Sequence, residues 1–378
     1  MERWDIFCRA VDNYGDVGVS WRLARLLARE HGKTVRLWLD DVAVLSRLRP
    51  EIDAVREVQT LEGVEVQRMR ASYERNDIAD VVVETFGCEP PETYVQAMLG
   101  RKPETRWINL EYLSAESWVE GSHKLPSPNP RLPLTKYYFF PGFTAVTGGL
   151  LRESELLERR AAFQQEPGAQ AAFWKGLVGA IPPGGALKLS LFTYEKAPVD
   201  ALVEACARLR MPVWIVASEG FAAAAVESWR EGERCADLEM FAVPFLPQDR
   251  YDELLWACDV NFVRGEDSFV RAQWAGHPFV WHIYPQKEGA HWVKLSAFLA
   301  RYNAGLDPAA AAAVTTLWEA WNGGGEVPDV SMDLEAAWRA FVDRRDVLAG
   351  HARAWSHRLQ VQPELAAELV KFATSLVK

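Results

Sequence analysis

Apolar residues along the chain come in short runs separated by stretches with helical spacing, and this alternation predicts the elements. WDIFCRAV reads as a strand, VDNYGDVG as a turn-rich loop, and VSWRLARLLAREHG as an amphipathic helix. Trp21, Leu23, Ala24, Leu27 and Ala28 form the apolar side of that helix, while Arg22, Arg25 and Arg29 share the other. Gly32 closes the helix and TVRLWLDD follows as the next strand. A β-α-β unit of this kind implies a parallel sheet with a right-handed crossover. GVEVQRM (63–69), DVVVETFG (80–87), TRWINLEYL (105–113) and KYYFFPGF (136–143) continue the strands, with a helix over ETYVQAMLGRK. The Ser- and Pro-rich stretch 114–135 reads as a long loop, a class more often functional than idle.

A helical segment at 153–165 is followed by PGAQAAFWKGLVGAIPPGGA, whose IPPGGA turn is the candidate linker. A second α/β set then begins at LKLSLFTY (187–194). It continues through the helix VDALVEACARLR, the strands PVWIVAS and LEMFAVPFL, and the helix YDELLWACD. DVNFVRGEDSFVRAQWAGHPFVWHIYP reads as strand, loop, helix, strand, and helices are expected at 334–343 and 363–377. The expected architecture is α/β, two Rossmann-like lobes with parallel sheets facing a central cleft. The boundaries fall at 1–180 and 181–362, with the helix 363–378 free to pack back on the first domain. Ligands in such folds sit beyond the carboxyl ends of the strands, so the loops there carry the functional reading.

Composition narrows this picture. A chain of 378 residues exceeds one ordinary core, and a formal net charge of −10 argues against nucleic acid or anionic lipid as a non-specific partner. Five scattered cysteines offer neither a C-x-x-C pair nor a disulfide framework. The start lacks a signal-peptide pattern, and no run approaches the ~20 apolar residues of a membrane span. The expectation is a cytoplasmic protein.

Two loops hold the candidate chemistry. The first, VDNYGDVG, has the outline of a phosphate loop but carries Asp12 and Asp16 and no lysine. Paired carboxylates suit a general base, a metal site or a grip on a cationic acceptor. An Asx turn of Asp12 with Asn13 and helix capping by Asp16 explain the same residues equally well. In the second, RGEDS, Glu266, Asp267 and Ser268 fall at a helix N-terminus, which binds phosphate readily, and Arg264 stands just before it. Ordinary capping again accounts for this stretch as well as function does. Phe192 and Tyr194 at a strand end, with Gln248 and Tyr251, are the residue types that hold a nucleobase, although each aromatic alone reads more readily as core. His277, His282 and His291 make no nucleophile–base set. The zinc-protease, serine-hydrolase, P-loop and dinucleotide fingerprints are all absent.

WDIFCRAVDNYGDVGVSWRLARLLA and FVRGEDSFVRAQWAGHPFVWHIYPQKEGAH resemble the EarP family of protein-arginine rhamnosyltransferases. The resemblance extends through FFPGFTAVTGGLLRE to the C-terminal helices. It implies a GT-B fold and inverting transfer of rhamnose from TDP-β-L-rhamnose to an arginine of elongation factor P, a modification that supports translation of proline-rich stretches. The first domain is then the acceptor side and the second the nucleotide-sugar side. Matched to the family motifs, Asp16 is the catalytic carboxylate with Asp12 beside it, and Asp12, Asn13 and Asp16 face the acceptor. Arg264, Glu266, Asp267 and Ser268 surround the donor, with Glu266 on sugar hydroxyls and counted among the catalytic residues. Phe192 and Tyr251 hold the thymine, and Tyr194 and Gln248 complete the donor set. No metal and no cofactor beyond the donor is expected. Two alternatives stay open: a GT-B transferase with a saccharide or lipid acceptor, and a non-catalytic nucleotide-dependent binder of elongation factor P.

Overall fold

The structure is a computed structural model that describes residues 2–12, 14–230, 236–286, 289–323 and 333–377. It contains two α/β units, Met1–Ser154 with Gln360–Lys378, and Glu155–Leu359.

The first unit is built on β1 (Arg3–Cys8), β2 (Thr34–Leu39), β3 (Val58–Leu61), β4 (Val64–Arg68), β5 (Val81–Thr85), β6 (Arg106–Leu110), β7 (Pro126–Pro128) and β8 (Thr135–Phe139). They lie in the order β3-β4-β2-β1-β5-β6-β8-β7, parallel except for the edge pairs β3–β4 and β7–β8. The central strands are near-continuous apolar runs because both faces of a parallel sheet are covered. Two carboxylates interrupt these runs, and both are paired. Asp5 accepts Arg36 Nε and Nη2 at 2.6 Å each and the Tyr94 hydroxyl at 2.5 Å. Glu84 accepts Lys136 Nζ at 2.6 Å and the Trp107 indole N–H at 2.9 Å.

Several elements differ from the sequence reading. The first helix runs Tyr14–Arg29, beginning inside the stretch read as loop, so Asp16 lies in its first turn. Its arginine side is covered in part: Arg22 and Arg25 are buried and donate to Glu153 Oε1 at 3.1 and 2.8 Å, while Arg29 stays exposed. Within 114–135 the chain forms a short helix, Trp118–Ser122, and the edge strand β7. The helix Arg345–Gln360 escaped the periodicity because its buried stripe includes His351, Ala352 and Ser356 among the apolar residues. The C-terminal helix Leu365–Ser375 packs on the first unit, with the Phe372 ring 5.8 Å from Phe139 and 5.7 Å from Tyr137. Gly149 permits the approach of the segment leading to that helix: at φ +74° it lies so near the Pro363 carbonyl that an added Cβ would sit 1.8 Å from its oxygen.

The second unit carries β9 (Leu187–Leu191), β10 (Val213–Ser218), β11 (Leu238–Val243), β12 (Val260–Arg264) and β13 (Phe279–His282) in the order β11-β10-β9-β12-β13, all parallel. The units divide at Ser154/Glu155, ahead of the IPPGGA turn. The helices Leu156–Gln165 and Pro167–Val178 therefore belong to the second unit rather than the first. The physical reason is packing, because Phe173 and Trp174 share a core with Trp214, Val216, Val243 and Leu254.

Candidate functional site

In each unit the strand order reverses direction beside the first strand, between β1 and β5 and between β9 and β12. Such switch points leave a crevice beyond the carboxyl ends of the strands. The residues singled out from sequence emerge at these two places.

Beyond β1, the Asp16 carboxylate turns back onto its own loop. Its Oδ2 accepts the backbone N–H of Val11 at 3.1 Å and of Asp12 at 2.8 Å, and the Tyr112 hydroxyl is a further partner. The residue is only 2% exposed, and that burial raises its pKa despite these donors, with the nearby Asp40 adding to the rise. A carboxylate raised in this way is a stronger proton acceptor near neutral pH. Asp12 is half-buried and its carbonyl receives Gly15 N–H at 2.8 Å. A Cβ on Gly15 would fall 2.6 Å from Asp12 Oδ2, so glycine lets that carboxylate lie against the helix start. Asn13 lies outside the described residues.

Beyond β9 and β12, Arg264 is held between two rings. Its guanidinium carbon sits 4.4 Å from the Phe192 centroid and 4.6 Å from that of Tyr194, and Nη1 donates to the Thr193 carbonyl at 3.1 Å. Phe192 and Tyr194, read as base-stacking residues, thus each present a face to Arg264. Phe192 also meets Phe245 and Tyr251 edge-on, at 6.1 and 5.8 Å. The hydroxyl of Ser268 accepts Arg264 N–H at 3.2 Å and donates to the Arg264 carbonyl, which closes the turn into the helix Asp267–Ala275. Asp267 Oδ2 accepts Gln248 Nε2 at 3.0 Å, and Gln248 itself is buried. Glu266 is the residue that precedes the first helical turn. Burial pushes the Tyr251 phenol up, so it stays protonated.

The structure adds residues that the sequence reading missed. His282, the last residue of β13, pairs with Arg264 in register and accepts Tyr194 N–H at 3.2 Å through Nδ1. Burial and the Arg264 charge bring its pKa down to about 4, so the ring is neutral. Tyr284 meets Tyr194 edge-on at 5.4 Å. Thr193 and Ser218, near the ends of β9 and β10, each bury a hydroxyl that has no hydrogen-bond partner among the described residues. Periodicity carries no signal for them, since their place follows from sheet order alone. Among the described residues no group of three or more His, Cys, Asp or Glu is placed to hold a metal ion, and no helix is long and apolar enough to cross a membrane.

Comparison with known proteins adds the relationship that this geometry alone leaves open. The family model of the elongation factor P (EF-P) rhamnosyltransferase EarP matches residues 4–374. The chain belongs to the EarP family. It is 48% identical over 377 residues to the protein-arginine rhamnosyltransferase of Pseudomonas putida, covering 98% of both chains, and 46% identical to that of Pseudomonas aeruginosa, covering 98% of this chain and 99% of that one. A solved structure described as the structural basis for EarP-mediated arginine glycosylation of translation elongation factor EF-P superposes with a TM-score of 0.69 at 37% identity, covering all of both chains. The fold is GT-B; the spinosyn rhamnosyltransferase SpnG shares it at a TM-score of 0.55 and 11% identity, covering 99% of this chain and 100% of that one.

Proposed function

We infer that this chain is a glycosyltransferase that moves rhamnose onto an arginine side chain of elongation factor P. The observation that carries this reading is the full-length match to protein-arginine rhamnosyltransferases, at up to 48% identity. The chemistry of the two loops agrees with it. A guanidinium is a poor nucleophile, because its lone pairs are delocalised and its pKa exceeds ~12. The buried Asp16 carboxylate, with Asp12 beside it, suits an acceptor of positive charge: it orients the guanidinium and takes its proton.

The donor of this reading is TDP-β-L-rhamnose, held by the second unit. A nitrogen of the acceptor arginine attacks the anomeric carbon and the bond to the diphosphate oxygen breaks. TDP leaves with the electron pair, the proton passes to Asp16, and the configuration inverts. Arg264 and the helix start at Asp267 stabilise the leaving diphosphate. Glu266, which would repel a phosphate, is assigned to sugar hydroxyls, and Phe192, Tyr194, Gln248 and Tyr251 to the nucleoside end. Ser268 serves by closing the turn that carries Arg264. The scheme uses no metal or further cofactor, and its acceptor, a translation factor, places the reaction in the cytoplasm.

The test is incubation of the full chain with elongation factor P and TDP-rhamnose, with and without excess chelator, followed by intact-mass analysis. A gain of one deoxyhexose on an arginine, undiminished by chelator, is expected. Binding of the factor without a mass gain would leave only a nucleotide-dependent clamp, and loss of transfer on chelation would overturn the metal-free step.

A further inference from the structure

Beyond β5 and β6, next to the loop that carries Asp16, two aromatic side chains stack on each other. The rings of Phe86 and Tyr112 are 4.4 Å apart and inclined by 18°. Phe86 holds this place in an unfavourable backbone conformation, φ +57°, a region that bulky L-residues rarely enter. Its N–H donates to the Leu110 carbonyl at 2.7 Å, which fixes the end of β5 against the end of β6. Strain of this kind persists where the surroundings over-determine it, and it clusters at functional sites. The Tyr112 hydroxyl bonds the Asp16 side chain. Both rings are half-buried, so the pair forms a wall of the Asp16 loop rather than part of the deep core.

We propose that Tyr112, backed by the stacked ring of Phe86, is a positioning residue that aims the Asp16 carboxylate. This rests on the assignment of Asp16 to the transfer step. Two backbone N–H groups hold one carboxylate oxygen from within the loop, and Tyr112 is a donor from a different strand end. Contacts from separate elements fix a side chain more firmly than contacts from one, because neither element can shift alone. Among the described residues, Asp40 just past β2 and Cys8 at the end of β1 also act on Asp16. Asp40 disfavours the ionised carboxylate. Burial pushes the Cys8 thiol up to about 12, so it remains uncharged. Tyr112 is therefore a side-chain donor that favours the ionised form.

The sign of its effect on pH follows. Activity requires the ionised carboxylate and is lost as pH falls through its pKa. Removing a donor to the charged form raises that pKa further, so the acidic limb of the pH profile must move to higher pH.

The experiment compares Tyr112→Phe, which keeps the ring and the stack, with the unaltered full-length enzyme. A loss of about ten- to hundredfold in kcat is expected, the range of a hydrogen bond to a charged group. TDP affinity should be unchanged, and the acidic limb of kcat/KM for the acceptor protein should shift upward by about one pH unit. Unchanged kcat, or reduced kcat with the acidic limb in place, would overturn the proposal. Phe86→Ala tests the backing ring: in combination with Tyr112→Phe it should add little to the loss from Tyr112→Phe alone, and full additivity would remove Phe86 from the proposal. Asp16→Asn in parallel separates the two assignments. If Asp16→Asn stays active, the role of Asp16 fails; if it is inactive while Tyr112→Phe is normal, only the positioning role fails.

Discussion

The loop after β1 and the loop after β12 follow one backbone plan, strand to short turn to helix, at equivalent switch points of their sheets. The first is lined with carboxylates, and the second presents Arg264. What separates them is how each treats its backbone N–H groups. In the first, Asp16 folds back and its own carboxylate takes the Val11 and Asp12 N–H groups, donors of the sort that cradle an anion elsewhere. That anion site is filled from within. In the second, a neutral hydroxyl, Ser268, closes the turn, and the anchored charge is a guanidinium flanked by aromatic faces. A shared outline therefore says little about ligand charge, whereas the group that occupies the turn says a good deal.

This division of labour can be broken most sharply at Asp16. Asp16→Asn keeps the size and an acceptor oxygen but loses the basicity, and transfer should fall by about a hundred- to ten-thousandfold. Calorimetric titration with TDP should give the affinity of the unaltered enzyme, since the donor is assigned to the other loop. A parallel collapse of TDP binding would mean that the loops do not separate acceptor from donor. Arg264→Ala makes the reciprocal cut. TDP affinity should weaken by about ten- to a hundredfold, as expected for a charge-assisted contact, and Arg264→Lys should recover only part of it because the planar fork is lost. Retained affinity would move the diphosphate away from the second loop. The mildest change is Gly15→Ala. Its Cβ would press on Asp12 Oδ2, so kcat should drop by about tenfold or less. Alanine is the better helix former by about 1 kcal/mol, so the melting temperature should hold. A loss of stability with normal kcat would make Gly15 a matter of folding alone.

Much of the fold was legible because its signals are local. The runs of β1, β2, β5, β6 and β8 in the first unit, and of the strands in the second, are short and apolar and punctuated by turn residues. Edge elements left weaker traces: β3 has four residues, and β7 has two prolines in three positions. The arginines of the first helix misled the pattern, because Arg22 and Arg25 read as a solvent face yet are buried on Glu153, more than a hundred residues away in sequence. The unit boundary was displaced for a similar reason. IPPGGA has the composition of a linker, but the helices before it take their partners from the core around Trp214 and Val216.

By itself the sequence determined the alternation of strands and helices, the two loops at strand ends, and, through its long motifs, the EarP family. Each of these is written in neighbouring residues. Tertiary structure alone decided that Asp16 is buried and held by its own loop, that Tyr112 reaches it from beyond another strand, and that Phe192 and Tyr194 flank Arg264. The physical reason is the parallel sheet, whose crossovers bring strand ends from distant parts of the chain side by side, a proximity that no local periodicity encodes.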